Sequence, residues 1–72
     1  MSEDKRPELL IRYEQMIKDH ANYYFDADDL EEIAYQYEIR DLYQKALEVI
    51  ERGLSMHPGS MSLGIKRAKY LL

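Results

Sequence analysis

LEEIAYQYEIRDLYQKALEVIERGLSMHP, residues 30–58, is built from two apolar stripes at helical spacing. Leu30, Ile33, Ala34 and Tyr37 recur at steps of three and four. After a short break so do Tyr43, Ala46, Leu47, Ile50, Gly53 and Leu54. Each set therefore lies along one face of a helix. Two such helices joined at Arg40-Asp41-Leu42 make an antiparallel hairpin. The second must stop by His57, because Pro58 disfavours helical geometry in the residue before it and Gly59 loosens the backbone after it. Lys45 stands four residues after Asp41 and Arg52 four after Glu48, surface pairs that support solubility more than fold.

On the N-terminal side, residues 1–6 are polar and charged and are expected to fray. Pro7 suits a first helical turn, where its missing N–H is not needed, and Glu8 favours the positive end of the helix dipole. Leu9, Leu10, Tyr13, Met16, Ile17 and His20 then mark an amphipathic helix that ends near His20 to Asn22. The connection Asn22-Tyr-Tyr-Phe-Asp is too aromatic for a solvated loop. Phe25 is expected to be buried, with at least one of Tyr23 and Tyr24 partly so; the alternative is an exposed aromatic patch that binds something.

Asp28 followed by Glu31 has the form of a capping box for the next helix. The carboxylates around them also raise the question of calcium. An EF-hand loop would need an oxygen ligand at Leu30, a glycine at Glu31 and a glutamate at Tyr37, so the pattern fails at all three.

Beyond the hairpin, Ser60 or Ser62 can cap a last helix, with Met61, Ile65, Ala68 and Leu72 on one stripe and Leu63, Tyr70 and Leu71 elsewhere. Being apolar on more than one side, it exposes part of what it should bury. The fold class is all-α, about four helices in antiparallel hairpins, in a single domain over 1–72. A chain of 72 residues buries only roughly 60% of its unfolded surface, so stability is expected to be marginal. Without cysteine, and with His20 and His57 at no ligand-like spacing, neither a disulfide nor a metal can staple it.

Ten basic against fourteen acidic side chains give a net charge of −4, which repels nucleic acid and anionic lipid. Lys66, Arg67 and Lys69 are the one small basic cluster. No apolar run approaches the ~18 residues of a membrane span, and the start MSEDKRP lacks the apolar segment of a secretion signal. A soluble cytoplasmic protein is expected. No Gly-rich phosphate loop, nucleophile with a base, or metal spacing is present, so no catalytic, cofactor or metal residues are assigned.

The hairpin resembles one tetratricopeptide repeat, whose pattern of W-x2-L-G-x2-Y, then A-x3-F, then P spans about 34 residues. The spacing matches from Leu30 to Pro58, with Tyr37, Ala46 and Pro58 matching by identity. Leu30 stands for tryptophan, Ile33 for leucine, Ala34 for glycine, Ile50 for phenylalanine and Gly53 for alanine, while Asp41 and Leu42 replace the usual glycine and aspartate of the turn. The resemblance implies a complete repeat at 27–60, an N-terminal capping helix at 7–22, and at 61–72 the first helix of a following, incomplete repeat, as at the start of a longer array. Ala68 falls in a close-contact position of that helix and Gly64 where a large anchor is expected.

Members of the family bind peptides on the concave face lined by the first helix of each hairpin. The resemblance places Asp28, Glu31, Glu32, Tyr35, Glu38 and Ile39 there, an acidic surface suited to a basic or mixed peptide. Adaptors that grip a C-terminal carboxylate carry lysine and asparagine where this chain has Glu31 and Tyr35, which argues against that ligand. Ordinary solvated charges are the plainer alternative. Fewer than the roughly three repeats a stack needs implies a partner for the last helix, most simply in a homodimer through Ile65, Ala68, Leu71 and Leu72. Three roles therefore compete: a protein-binding module, a structural unit that only self-associates, and, with no supporting chemistry, an enzyme.

Overall fold

A computed structural model of the chain describes residues 6–72, with side chains from Glu8 onward. These residues are all-helical: α1 (Arg6–Asp19), α2 (Ala27–Glu38), α3 (Tyr43–Met56) and α4 (Met61–Leu71). The fraying expected over 1–6 lies outside the described residues except at Arg6, where α1 opens. None of the helices is long and apolar enough to cross a membrane.

α2 and α3 form the antiparallel hairpin, with Leu30 against Gly53 at one end and Lys45 over the Tyr37 ring at the other. Leu30, Ile33, Ala34 and Tyr37 are buried as one stripe, facing Ala46, Val49, Ile50 and Gly53. Tyr43 was expected on that face but stands half exposed. At the helix start its ring turns outward to meet Tyr70, with centroids 6.4 Å apart. Val49 and Gln36 are buried although neither belonged to an expected stripe.

Both of the first two helices end one or more residues earlier than the periodicity suggests, for a common reason. After α1, the His20 N–H reaches Ile17 O and the Ala21 N–H reaches Met16 O; after α2, Asp41 N–H reaches Glu38 O and Leu42 N–H reaches Tyr37 O. Each pair is a Schellman closure, which puts the residue after the cap in the left-handed region. His20 (φ 55°) and Asp41 (φ 61°) occupy those positions, where glycine would be unstrained. α3 stops at Met56, and Pro58-Gly59 form the turn closed by Ser60 N–H to His57 O.

The expected capping box at Asp28 and Glu31 does not form. The N-cap of α2 is Asp26, without a side-chain bond, so Asp28 lies inside the first turn and acts there only through its charge. Glu31 is drawn away to Ser62 of α4. The cap of α4 is as expected, Ser60 Oγ accepting from the Leu63 N–H at 3.2 Å.

α1 rests on α2 through aromatics. Tyr13 and Phe25 are buried, Tyr13 packs edge-on to Tyr37, and Arg12 lies over the Phe25 and Tyr23 rings. Phe25 and Tyr23 are therefore covered as expected and Tyr24 is exposed. His57 braces the same segment, its Nε2 2.8 Å from Phe25 O, in the C-cap position of α3.

α4 runs antiparallel to α3 and parallel to α2. Its one fully buried residue is Leu63, with Tyr70 partly covered. Met61, Ile65, Ala68 and Leu72 form the opposite face and are exposed. Ala68 thus makes no close contact here, contrary to its expected position, because within the described chain nothing packs on that side.

Leu63 and Leu30 pinch Gly53: a Cβ there would lie 3.0 Å from Leu63 Cδ1 and 3.1 Å from Leu30 Cδ1, whereas a Cβ on Gly64 meets nothing within 4 Å. Gly64→Ala is expected to stabilise the chain by about 0.5–1 kcal/mol, the helix-propensity difference. Gly53→Ala should show no such gain, since overpacking two buried leucines costs about 1–3 kcal/mol; urea midpoints of the two variants make the comparison. Asp41→Gly should raise the midpoint by the equivalent of about 0.5–1 kcal/mol by relieving the left-handed position.

Candidate functional site

α2 presents Asp28, Glu31, Glu32 and Tyr35 in succession at helical spacing, so their side chains leave the same face. α4 lies beside that face, and together they bound an open groove of about 420 Å³ lined by these four residues and Lys66. Among the described residues three carboxylates face one ammonium. Tyr35 is 44% exposed, a ring available to an incoming group.

Two ties fix the spacing of the walls. At one end the Ser62 hydroxyl donates to Glu31 Oε2, and Ser60 Oγ lies 3.2 Å from Ser62 Oγ. At the other, Glu38 receives the Tyr70 hydroxyl on Oε1 at 2.7 Å and Lys69 Nζ on Oε2 at 3.3 Å. Glu31–Ser62 and Glu38–Lys69 are both 31 residues apart, so α2 and α4 lie in constant register along their length.

Of the six residues expected on this face, four line the groove. Glu38 does not join them as a free acid, because it is consumed in holding α4. Ile39, exposed at the end of α2, does not line the groove. Ser62 and Lys66 were missed; the signal for them was the constant offset between two parallel helices, visible only once the pairing partner of the second helix is known.

The basic cluster of α4 is also spoken for. Arg67 Nε pairs with Glu51 Oε2 at 3.4 Å, Lys69 with Glu38, and Lys66 lines the acidic groove. Arg67 and Glu51 are half exposed, so their pair contributes little. Among the described residues no group of three or more His, Cys, Asp or Glu could hold a metal ion. A second, smaller hollow of about 250 Å³ lies between α1 and α3, floored by Tyr13 and Tyr37 and edged by Glu14, Lys18, Lys45 and Glu48. Glu14 there accepts from the Tyr37 hydroxyl at 2.7 Å.

No protein-family model matches the chain, nor does a curated protein or a solved structure.

The protonation of Glu38 and Tyr70 shows how α4 is held. The hydrogen bond from Tyr70, with help from Lys69, lowers the Glu38 carboxyl below its ordinary value of 4.5 despite some desolvation. Burial first, then Glu38 itself, raises the Tyr70 phenol above its ordinary 10.0; burial and then Glu14 do the same for Tyr37.

A depressed carboxyl favours the folded state fully above its unfolded pKa and loses that contribution as pH falls through the folded value. Stability is therefore expected to fall on acidification below about pH 4.5. The raised phenols favour the folded state below about pH 10 and lose that contribution above it, as the unfolded chain gives up phenolic protons first. Tyr70→Phe should shrink both limbs of the profile, and urea midpoints measured across pH would show it; unchanged limbs would mean that the Tyr70–Glu38 bond does not form in solution.

Proposed function

We propose that the chain is a protein-binding module of the tetratricopeptide-repeat type, without catalytic activity, that takes a basic or mixed peptide segment of a partner protein into the groove between α2 and α4. The observation that carries this reading is the groove's composition: among the described residues Asp28, Glu31 and Glu32 line it with one cation, Lys66, and the exposed Tyr35 ring lies beside them. Such a surface suits arginine in particular, whose guanidinium can bond a carboxylate in two places and stack on an aromatic face. The parallel, constant-register placement of α2 and α4 is what neighbouring hairpins of a helical repeat would show. A cytoplasmic setting fits a cysteine-free chain.

The test is binding of a labelled peptide of alternating arginine and alanine, followed by fluorescence anisotropy at low and moderate salt. Binding that weakens at least about tenfold, or about 1.4 kcal/mol, in the triple variant Glu31→Ala, Glu32→Ala, Tyr35→Ala, while the variant keeps its helical signal, supports the groove. Equal affinity for the variant, or binding that an acidic control peptide matches, discards it.

A further inference from the structure

The cations of α4, Lys66, Arg67 and Lys69, all lie from its middle onward, and none sits on the apolar stripe it turns to solvent. Lys66 and Lys69 lean toward α2 and Arg67 toward α3. What remains outward is Met61, Ile65, Ala68, Leu71 and Leu72, with Met61 80% and Ile65 67% exposed. This stripe lies opposite Leu63, the residue that anchors the helix, so covering it disturbs nothing that holds α4 in place.

The order of Met61, Ile65, Ala68 and Leu72 fits a second copy of the same helix. Met61 stands as far from the midpoint between Lys66 and Arg67 on one side as Leu72 on the other, and Ile65 as far as Ala68. Turned about a two-fold axis through that midpoint, the helix sets Met61 against Leu72 of the second copy and Ile65 against Ala68, long against long and large against small. The spacing is self-complementary, as an isologous contact requires. The like charges that would otherwise meet near the axis already face carboxylates of their own chain.

We infer that α4 pairs with α4 of a second copy, antiparallel and through this stripe, in a weak homodimer that leaves both acidic grooves open. The inference does not depend on what the grooves bind. Five mostly exposed apolar side chains at roughly 100 Å² each give about 500 Å² per copy. Roughly 1,000 Å² in total is the lower edge for a specific interface, so dissociation is expected at about 1–100 µM.

Analytical ultracentrifugation from about 1 µM to about 1 mM should show monomer converting to dimer. Ile65→Asp should weaken dimerisation at least tenfold without loss of helical signal, because Ile65 is exposed in the monomer. The chain has no cysteine, so the pairing can be read by single additions. Met61→Cys and Leu72→Cys should form a mixed disulfide when combined and oxidised, while Met61→Cys alone should not, its two copies lying about 16 Å apart along the axis. A monomer throughout the range, a dimer indifferent to Ile65→Asp, or efficient self-linking of Met61→Cys would each overturn the pairing.

Discussion

Three helices meet at a residue with no side chain. Gly53 lets Leu30 of α2 and Leu63 of α4 approach the α3 backbone from two sides, closer than a methyl group would permit. Ala34 and Ala46, both fully buried, belong to the same α2–α3 contact. Small residues bring the rods together, and the larger ones beside them, Ile33, Val49 and Ile50, fill the remaining space. For α4 the consequence is strong. Its attachment has a single fully buried anchor, worth roughly 2–3 kcal/mol by area, so its orientation depends on the polar ties spaced along α2.

At the other edge the chain solves the same problem with large groups. α1 meets α2 through Tyr13, Phe25 and Tyr37, whose rings pack at tilted and edge-on angles, and the connection at 20–26 is held down by Met16, Arg12 and His57. Rings of this size keep the helices apart, and the hollow between α1 and α3 is a result. A polar edge is then unavoidable there, and Glu14 satisfies the buried Tyr37 hydroxyl. One hairpin therefore has a tight side and a loose side.

The helices and the hairpin core were legible because period and breakers agreed: Leu30, Ile33, Ala34 and Tyr37 were all buried, and Ser60 capped α4. What failed did so where a contact distant in sequence overrode the local signal. Asp28 and Glu31 fit a capping box, but a serine across the groove drew Glu31 away, and no local rule contains that serine. The buried face of α3 is centred on Ala46, Val49, Ile50 and Gly53, which brings Val49 in and leaves Tyr43 on its flank, with Leu47 and Leu54 only partly covered. α4 offered two apolar faces, and the sequence had no means of ranking them: the choice of Leu63 over Ile65 comes from the room at Gly53, ten residues earlier in the chain. For the groove, α2's contribution could be placed from spacing alone, whereas Ser62 and Lys66 required knowledge of which helices lie side by side.

The acidic groove and the bare stripe on α4 have one origin. Lys66, Arg67 and Lys69 sit where carboxylates of α2 and α3 can reach them, and that attraction turns the polar half of α4 inward along its flanks. Exposed ion pairs contribute little individually, but two along one helix, Arg67–Glu51 and Lys69–Glu38, together with the Tyr70–Glu38 bond and the Leu63 contact at Gly53, set its rotation about its own axis. Given that rotation, the apolar half not used by Leu63 and Tyr70 is left uncovered by the described residues. Meanwhile, among the described residues, three carboxylates and one ammonium line the groove. A helix of the same composition rotated by half a turn would bury Ile65 and expose its cations, producing neither surface. The Leu63 anchor and the charge pairs beside it thus together determine where this molecule is acidic and where it is greasy, and both surfaces on which a partner could settle depend on them.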